Sequence, residues 1–268
     1  MSKIEINHLT VDYTEKKKSF TALKDVSFSI EEGEFVSVIG SSGCGKSTLL
    51  SILEGINTPT DGEILINGEK INGTGTDRGV VFQHYSLFPW MTARKNVAFG
   101  IKQVNHSASR SERYRIADEF LDKVGLEQFK NKYPSQLSGG MQQRVAIARA
   151  LAMDTDILLM DEPFGAIDAK NRTILQELLL ELWEGASPRK TVVFVTHDID
   201  EAILLSDKIV MMTANPGRVY RELKVPFDRP RNPSELVQTG EYNKFRNNLL
   251  SLFYSDIADK IGGEEVVL

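Results

Sequence analysis

Residues Phe35 to Ile39 form an apolar run broken only by Ser37, and it leads without a spacer into Gly40-Ser41-Ser42-Gly43-Cys44-Gly45-Lys46-Ser47-Thr48. A helical segment follows from Lys46 to about Glu54. An apolar run of this kind suits a strand of a parallel sheet buried on both faces. The glycines let backbone N–H groups approach phosphate oxygens with no Cβ in the way. The helix opening near Lys46 turns its positive end to the same point, and Gly-x-x-x-x-Gly-Lys-Ser in a strand–loop–helix setting is a phosphate cradle. Lys46 is expected on the β and γ phosphates and the Ser47 hydroxyl on magnesium, so Gly40 to Thr48 are expected to bind ATP.

The rest of the 268-residue chain fits around that loop. Hydrophobic residues make up 41%, enough for a sizeable core. The net charge of −5 and the lack of a long basic block disfavour nucleic acid as a partner. No stretch approaches the ~20 apolar residues of a membrane span, and Met1 to Thr10 lack a signal-peptide core, so a cytoplasmic location is expected. Cys44 is the single cysteine, which excludes an internal disulfide. Ile4, Ile6 and Leu9, then Val26, Phe28 and Ile30, alternate as in half-buried antiparallel strands, with Lys16-Lys17-Lys18 read as a solvated turn. Glu63 to Ile66 reads as a hairpin strand between Asp61-Gly62 and Asn67-Gly68. Val80 to Phe82, Ile157 to Met160 and Val192 to Val195 read as buried strands. From about 84 to 153 the period turns helical, with Ala117, Phe120, Leu121 and Val124 on one face, and a helix over Ala169 to Trp183 carries Leu175, Leu178, Leu179 and Leu182 on one face. The expected class is α/β: a P-loop NTPase core with a parallel sheet, an N-terminal antiparallel β-subdomain and an inserted α-helical subdomain. Residues 1–225 form the ATPase domain and 226–268 a short helical tail, including a helix over about Glu241 to Ile257.

The run Ile157 to Met160 ends in Asp161-Glu162. Asp161 at the strand end can hold magnesium through water, and Glu162, pointing elsewhere, can polarise an attacking water. Ser138-Gly139-Gly140 opens a helix and makes a second anion site. Cys44 lies inside the loop, where backbone donors and Lys46 would favour its thiolate. Alkylation is then expected to inactivate the chain and ATP to protect it, against the alternative of a small residue tolerated in the loop.

At Leu137-Ser138-Gly139-Gly140-Met141-Gln142-Gln143-Arg144 the sequence resembles the signature of the ATP-binding-cassette (ABC) family, and other family elements follow in order from Ile4 to about Arg221. Tyr13 resembles the aromatic that stacks on adenine, with Phe20 as a rival. Gln83 resembles the glutamine between core and helical subdomain, Asp161-Glu162 the second nucleotide motif, Gly165-Ala166-Ile167-Asp168 the loop that communicates across a dimer, and Thr196-His197-Asp198 the switch histidine. The resemblance implies that Glu162, His197, Gln83 and Lys46 are catalytic and that Ser47, Gln83 and, through water, Asp161 hold Mg2+. It further implies that Ser138, Gly139, Gly140 and Asp168 complete the ATP site of a second copy in a head-to-tail dimer, and that His197 bonds the γ-phosphate and holds Glu162 and Asp168.

The segment Gln83 to Met91 concentrates Tyr85, Leu87, Phe88, Trp90 and Met91, a composition suited to gripping a partner helix. In the family this surface receives a membrane permease. Phe88-Pro89-Trp90, Phe164 to Asp168 and Asn215 to Arg218 resemble the nitrate, sulfonate and taurine importer branch. The implied role is an ATPase on the inner face of the cell membrane that energises import through separate permease subunits and, indirectly, a solute-binding protein. The alternative is a nucleotide-switched module acting on a soluble partner.

Overall fold

Ile4, Ile6, Leu9 and Val11 all face inward from the first strand, β1 (Ser2–Glu15), which pairs antiparallel with β2 (Lys18–Glu31), where Val26, Phe28 and Ile30 answer them. The alternation expected from the sequence is thus the core-facing side of a two-sided sheet. The structure is a computed structural model describing residues 2–15, 18–165 and 167–261, with backbone only at 15, 18 and 255–261. Lys16, Lys17, Ala166 and the end of the tail beyond Ile261 lie outside the described residues.

β3 (Phe35–Gly40) is buried along its whole length and runs into the phosphate loop and α1 (Lys46–Leu53). The hairpin β4 (Asp61–Ile66) and β5 (Glu69–Lys70) joins the N-terminal sheet in the order β2-β1-β4-β5. Leu49, Leu50, Ile52 and Leu53 of α1 share one core with Ile4, Ile6 and Leu9 of this sheet and with Val36 and Val38 of β3. The next strand, β6 (Arg78–Val81), begins and ends earlier than the sequence pattern indicates. Phe82, expected inside it, lies past its end and is 37% exposed, because the chain leaves the sheet there to enter the helical insertion.

That insertion consists of α2 (Ala93–Val104), α3 (Arg110–Lys123) and α4 (Gly139–Ala152). Ser and Thr caps begin each helix: the side chains of Thr92, Ser109 and Ser138 accept from the backbone N–H of Lys95, Glu112 and Met141. Ala117, Leu121 and Val124 pack with Val97, Ile101, Val145 and Ala148 in a core of the insertion's own, Phe120 lying at its margin.

The chain then returns through β7 (Ile157–Asp161), α5 (Ala169–Glu184), β8 (Thr191–Thr196), α6 (Ile199–Leu205), β9 (Lys208–Thr213) and β10 (Arg218–Lys224). The main sheet has the order β10-β9-β3-β8-β7-β6, parallel throughout except for the antiparallel edge β10. On α5 the deeply buried positions are Leu175, Leu179, Leu180 and Trp183, with Leu178 and Leu182 at the rim. Trp183 meets Phe35 edge to face at 5.4 Å and donates its indole N–H to the Lys190 carbonyl at 2.6 Å. The tail adds α7 (Pro233–Leu236) and α8 (Gly240–Ile261). Tyr242 and Leu249 of α8 are buried in one cluster with Ile199, Ala202 and Ile203 of α6. The parallel order brings the C-terminal ends of β3, β6, β7 and β8 to one rim, the place where α/β sheets bind ligands.

Candidate active site

Gly45 stands at the N-terminal boundary of α1 with φ +87°, a conformation that a side chain resists. A Cβ there would sit 2.4 Å from Leu23 Cδ2 and 3.1 Å from the Ala22 carbonyl oxygen. No side chain caps α1 and its first turn holds no acid, so the positive end of the helix is left facing the loop. Lys46 is buried, and its ammonium donates to the carbonyl oxygens of Gly40 at 2.8 Å and Ser41 at 3.3 Å. Ser42, Gly43, Gly45, Lys46, Ser47 and Thr48 line a cavity of about 480 Å³, together with Tyr13, Phe20, Ala22, Glu162 and His197. Gly40 and Ser41 lie outside that lining and serve the site through their carbonyls on Lys46.

Tyr13 and Phe20 are cross-strand partners near the β1–β2 turn, and both are exposed on the cavity wall. Either ring can stack on a base.

Cys44 corrects an expectation. Its side chain is 0% exposed and points under the loop, with Sγ 3.7 Å from Lys46 Nζ. Burial pushes the thiol above its ordinary value, outweighing the Lys46 charge and its hydrogen bonds, so the thiolate is disfavoured rather than favoured. Cys44 is therefore expected to react with iodoacetamide at pH 7.5 far more slowly than a free thiol, both with and without ATP. Mass spectrometry of the alkylated peptide checks this, and rapid ATP-protected labelling would contradict it.

Asp161 and Glu162 diverge as the paired-acid pattern requires. Glu162 follows the end of β7 with φ +41°, in the left-handed region, and its N–H donates to the Val195 carbonyl at 2.9 Å. Such strain is held where surroundings over-determine it. The turn carries the Glu162 carboxylate to His197, whose Nδ1 is 3.1 Å from Oε2, and to Gln83, whose Nε2 is 3.4 Å from the same oxygen. Asp161 is turned instead toward Ser47 and Lys46. Burial raises the Asp161 carboxyl, and the Glu162 charge adds to this, against Ser47 and Lys46. A desolvated carboxylate beside a hydroxyl is a hard-oxygen donor pair, and its chemistry fits Mg2+. No cluster of three or more His, Cys, Asp or Glu side chains able to hold a metal occurs among the described residues.

One acidic neighbour belongs to no motif. Glu54, just past the end of α1, has its carboxyl pushed up to about 7 by burial and then by the Asp161 charge. Nothing in the residue pattern marks it. Its folded-state value exceeds the ordinary 4.5, so ionising it costs stability as pH rises through about 7. Glu54→Gln is expected to raise the nucleotide-free Tm at pH 8 by roughly 2 °C, discounted for solvent exposure, with little change at pH 4. Differential scanning fluorimetry at the two pH values tests it.

Ser138 caps α4, and Gly139 packs so closely that a Cβ would lie 2.7 Å from the Tyr85 hydroxyl. Ser138, Gly139 and Gly140 do not line the cavity of their own chain. Asp168 caps α5, with Oδ1 accepting from the Asn171 N–H and Oδ2 from its side-chain amide at 2.7 Å. Among the described residues of this single chain no hydrogen bond joins His197 to Asp168, and their two loops are bridged by another side chain. Arg172 makes the link, donating to the Ile167 carbonyl at 3.3 Å and to Asp198 at 3.5 Å. No residue pattern marks Arg172, a cation in the first turn of α5.

Known proteins resemble this chain in sequence and in fold. A family model described as "ABC transporter" matches residues 23–165. A nitrate import ATP-binding protein of Synechococcus elongatus is 48% identical over 240 residues, covering 89% of this chain and 87% of the relative. A taurine import ATP-binding protein of Roseobacter denitrificans is 41% identical over 269 residues, covering 99% of each. Among solved structures, a dimeric bacterial ABC transporter cassette superposes with a TM-score of 0.75 at 41% identity, over 84% of this chain and all of that one. A related dimer bound to ADP and phosphate, in a post-hydrolysis state, gives 0.74 at 40% identity over the same shares. With a family match over more than half its length and relatives this similar from end to end, the chain belongs to the ABC transporter family, as one of its ATP-binding subunits.

Proposed function

We propose that this chain hydrolyses ATP to energise solute import through a separate membrane permease of the nitrate, sulfonate and taurine type, with residues 1–225 as the motor and 226–268 as a tail. One observation carries the proposal: a single cavity joins the phosphate loop to a Glu162 carboxylate already held by His197 and Gln83. In it Lys46 exchanges the loop carbonyls for β- and γ-phosphate oxygens. Glu162 orients the attacking water, and His197 keeps that carboxylate in place. Ser47, Asp161 and Gln83 would hold Mg2+, which supplies neutralisation of the phosphate charge. Ser138 to Gly140 and Asp168 serve the site of a second copy.

No described helix is long and apolar enough to cross a membrane. In this reading a separate permease supplies the import pathway. The segment after Gln83 is built to present side chains. Fully buried Asn96 accepts from the Phe88 N–H at 2.8 Å and donates to the carbonyls of Phe88, Met91 and Thr92, while Arg149 donates to the Ser86 carbonyl at 2.8 Å. This leaves Trp90 68% exposed beside Phe88, with ring centroids 5.5 Å apart. An exposed tryptophan on an anchored loop is a hot-spot geometry for a permease helix.

The test is affinity capture of the tagged chain from detergent-solubilised membranes. A multispan permease is expected with it, and Trp90→Ala is expected to weaken that capture by about 30-fold or more while leaving ATP binding intact. Recovery of only a soluble partner would favour the switch-module alternative.

A further inference from the structure

We propose that the C-terminal tail is part of the ATPase machinery, with Tyr242 and Arg246 of α8 acting as positioning residues that set His197 against Glu162 through Asp200. The proposal rests on the roles given above to Glu162 and His197.

α6 begins two residues after His197 and is seven residues long. A helix that short does not hold its own direction, so whatever grips it decides where the preceding histidine points. The tail grips it at both ends. On the first turn, Asp200 Oδ1 accepts from the Tyr242 hydroxyl at 2.7 Å and from Arg246 Nε at 2.6 Å, and Oδ2 accepts from Arg246 Nη2 at 3.0 Å. On the last turn, Arg231 Nη1 donates to the carbonyl oxygens of Ile203, Leu204 and Ser206, and Arg229 Nη2 donates to that of Leu205. These are the carbonyls that a helix end leaves without partners.

The inner side of the same turn leads directly to His197. Asp198 Oδ1 accepts from the N–H groups of Asp200 at 2.8 Å and Glu201 at 3.2 Å. Buried Glu201 accepts from the Thr196 hydroxyl at 2.6 Å, and that hydroxyl accepts from the Asp198 N–H at 3.0 Å. Both residues flanking His197 are therefore tied to the turn that α8 holds from outside. Burial acts to raise the Asp200 carboxyl, but its bonds to Arg246 and Tyr242 outweigh this and keep it below the usual range, so the clamp stays ionised at neutral pH. A bidentate arginine–carboxylate pair fixes geometry as well as distance, which is what a positioning element needs.

The experiment is steady-state ATP hydrolysis by the full-length chain with Mg2+, separating kcat from KM. Arg246→Ala is expected to lower kcat by about tenfold with KM changed less than about twofold, and Arg246→Lys to restore more than half of the loss. Asp200→Asn is expected to match Arg246→Ala, and the double variant to be no worse than either alone. Tyr242→Phe removes one hydroxyl and is the control for folding. It is expected to lower kcat by about threefold at an unchanged Tm. Wild-type kcat in both Arg246→Ala and Tyr242→Phe would overturn the proposal, as would losses that Arg246→Lys fails to restore and that follow the drop in Tm. His197→Ala in the same assay separates the two claims. If it is active, the site assignment fails; if it is inactive while the tail variants are normal, only the clamp fails.

Discussion

Glu162→Gln is expected to lower phosphate release by about 10²- to 10⁴-fold while ATP still binds. The magnitude follows from the geometry. The amide keeps the shape of the carboxylate and can still meet His197 Nδ1 and Gln83, so the pocket survives. It has lost the negative charge that polarises water. Because Lys46, Ser47 and the α1 amide groups are untouched, nucleotide affinity remains, and the chain is expected to accumulate as an ATP-bound dimer. Size-exclusion chromatography with light scattering, alongside a phosphate-release assay, checks both halves. Near wild-type turnover would remove Glu162 from its role.

A second large effect concerns the split of each site between two copies. Ser138 to Gly140 do not line the cavity formed by Lys46, Glu162 and His197 of the same chain, although they form a helix N-terminus with an anion-binding character. Lys46→Ala and Ser138→Ala are each expected to abolish hydrolysis. Ser138→Ala is expected to leave the ATP affinity of the monomer nearly unchanged, whereas Lys46→Ala removes the charge that binds the phosphates. Mixing the two inactive variants then discriminates. In a heterodimer one site pairs both lesions and the other pairs intact Lys46 with intact Ser138. Random association puts half of the dimers in that form, so activity should return to about a quarter of the wild-type level if the sites act independently. A mixture as inactive as its components, or a large loss of monomer affinity in Ser138→Ala, would reject the shared site.

The parts legible in the sequence were those where local chemistry dictates local structure. Phe35 to Ser47 could be read directly, because a two-face-buried strand, a glycine loop and a helix start each carry their own residue pattern. Ser138 announced a helix start for the same reason, and the Asp161-Glu162 pair announced a strand end. What stayed hidden depends on which residues distant elements bring together. Cys44 looked like an activated thiol from its neighbours in sequence. In three dimensions it faces the protein interior, and desolvation outweighs the adjacent lysine. Phe82 continued an apolar pattern that the chain geometry cut short. Glu54, Arg172 and the Asp200–Arg246 pair lie in no motif; each gains its meaning only from packing of segments far apart in the chain. Tyr13 and Phe20 remained alternatives because cross-strand pairing places them side by side on one wall.

The position of β6 has a mechanical consequence. It is the edge strand of the main sheet, bonded only to β7, and the helical insertion leaves the sheet immediately after it. The insertion has an apolar core of its own, and it is joined to the sheet by two connections and by Ile147, Ala150 and Leu151 of α4, which pack in one cluster with Val81 and Leu158. Gln83 stands at one of those connections, and its amide reaches Glu162 at 3.4 Å, near the limit of a hydrogen bond. A small rotation about this pivot would either tighten that contact or break it. A displacement of the segment that carries Trp90 is therefore expected to reach the Glu162 carboxylate through Gln83.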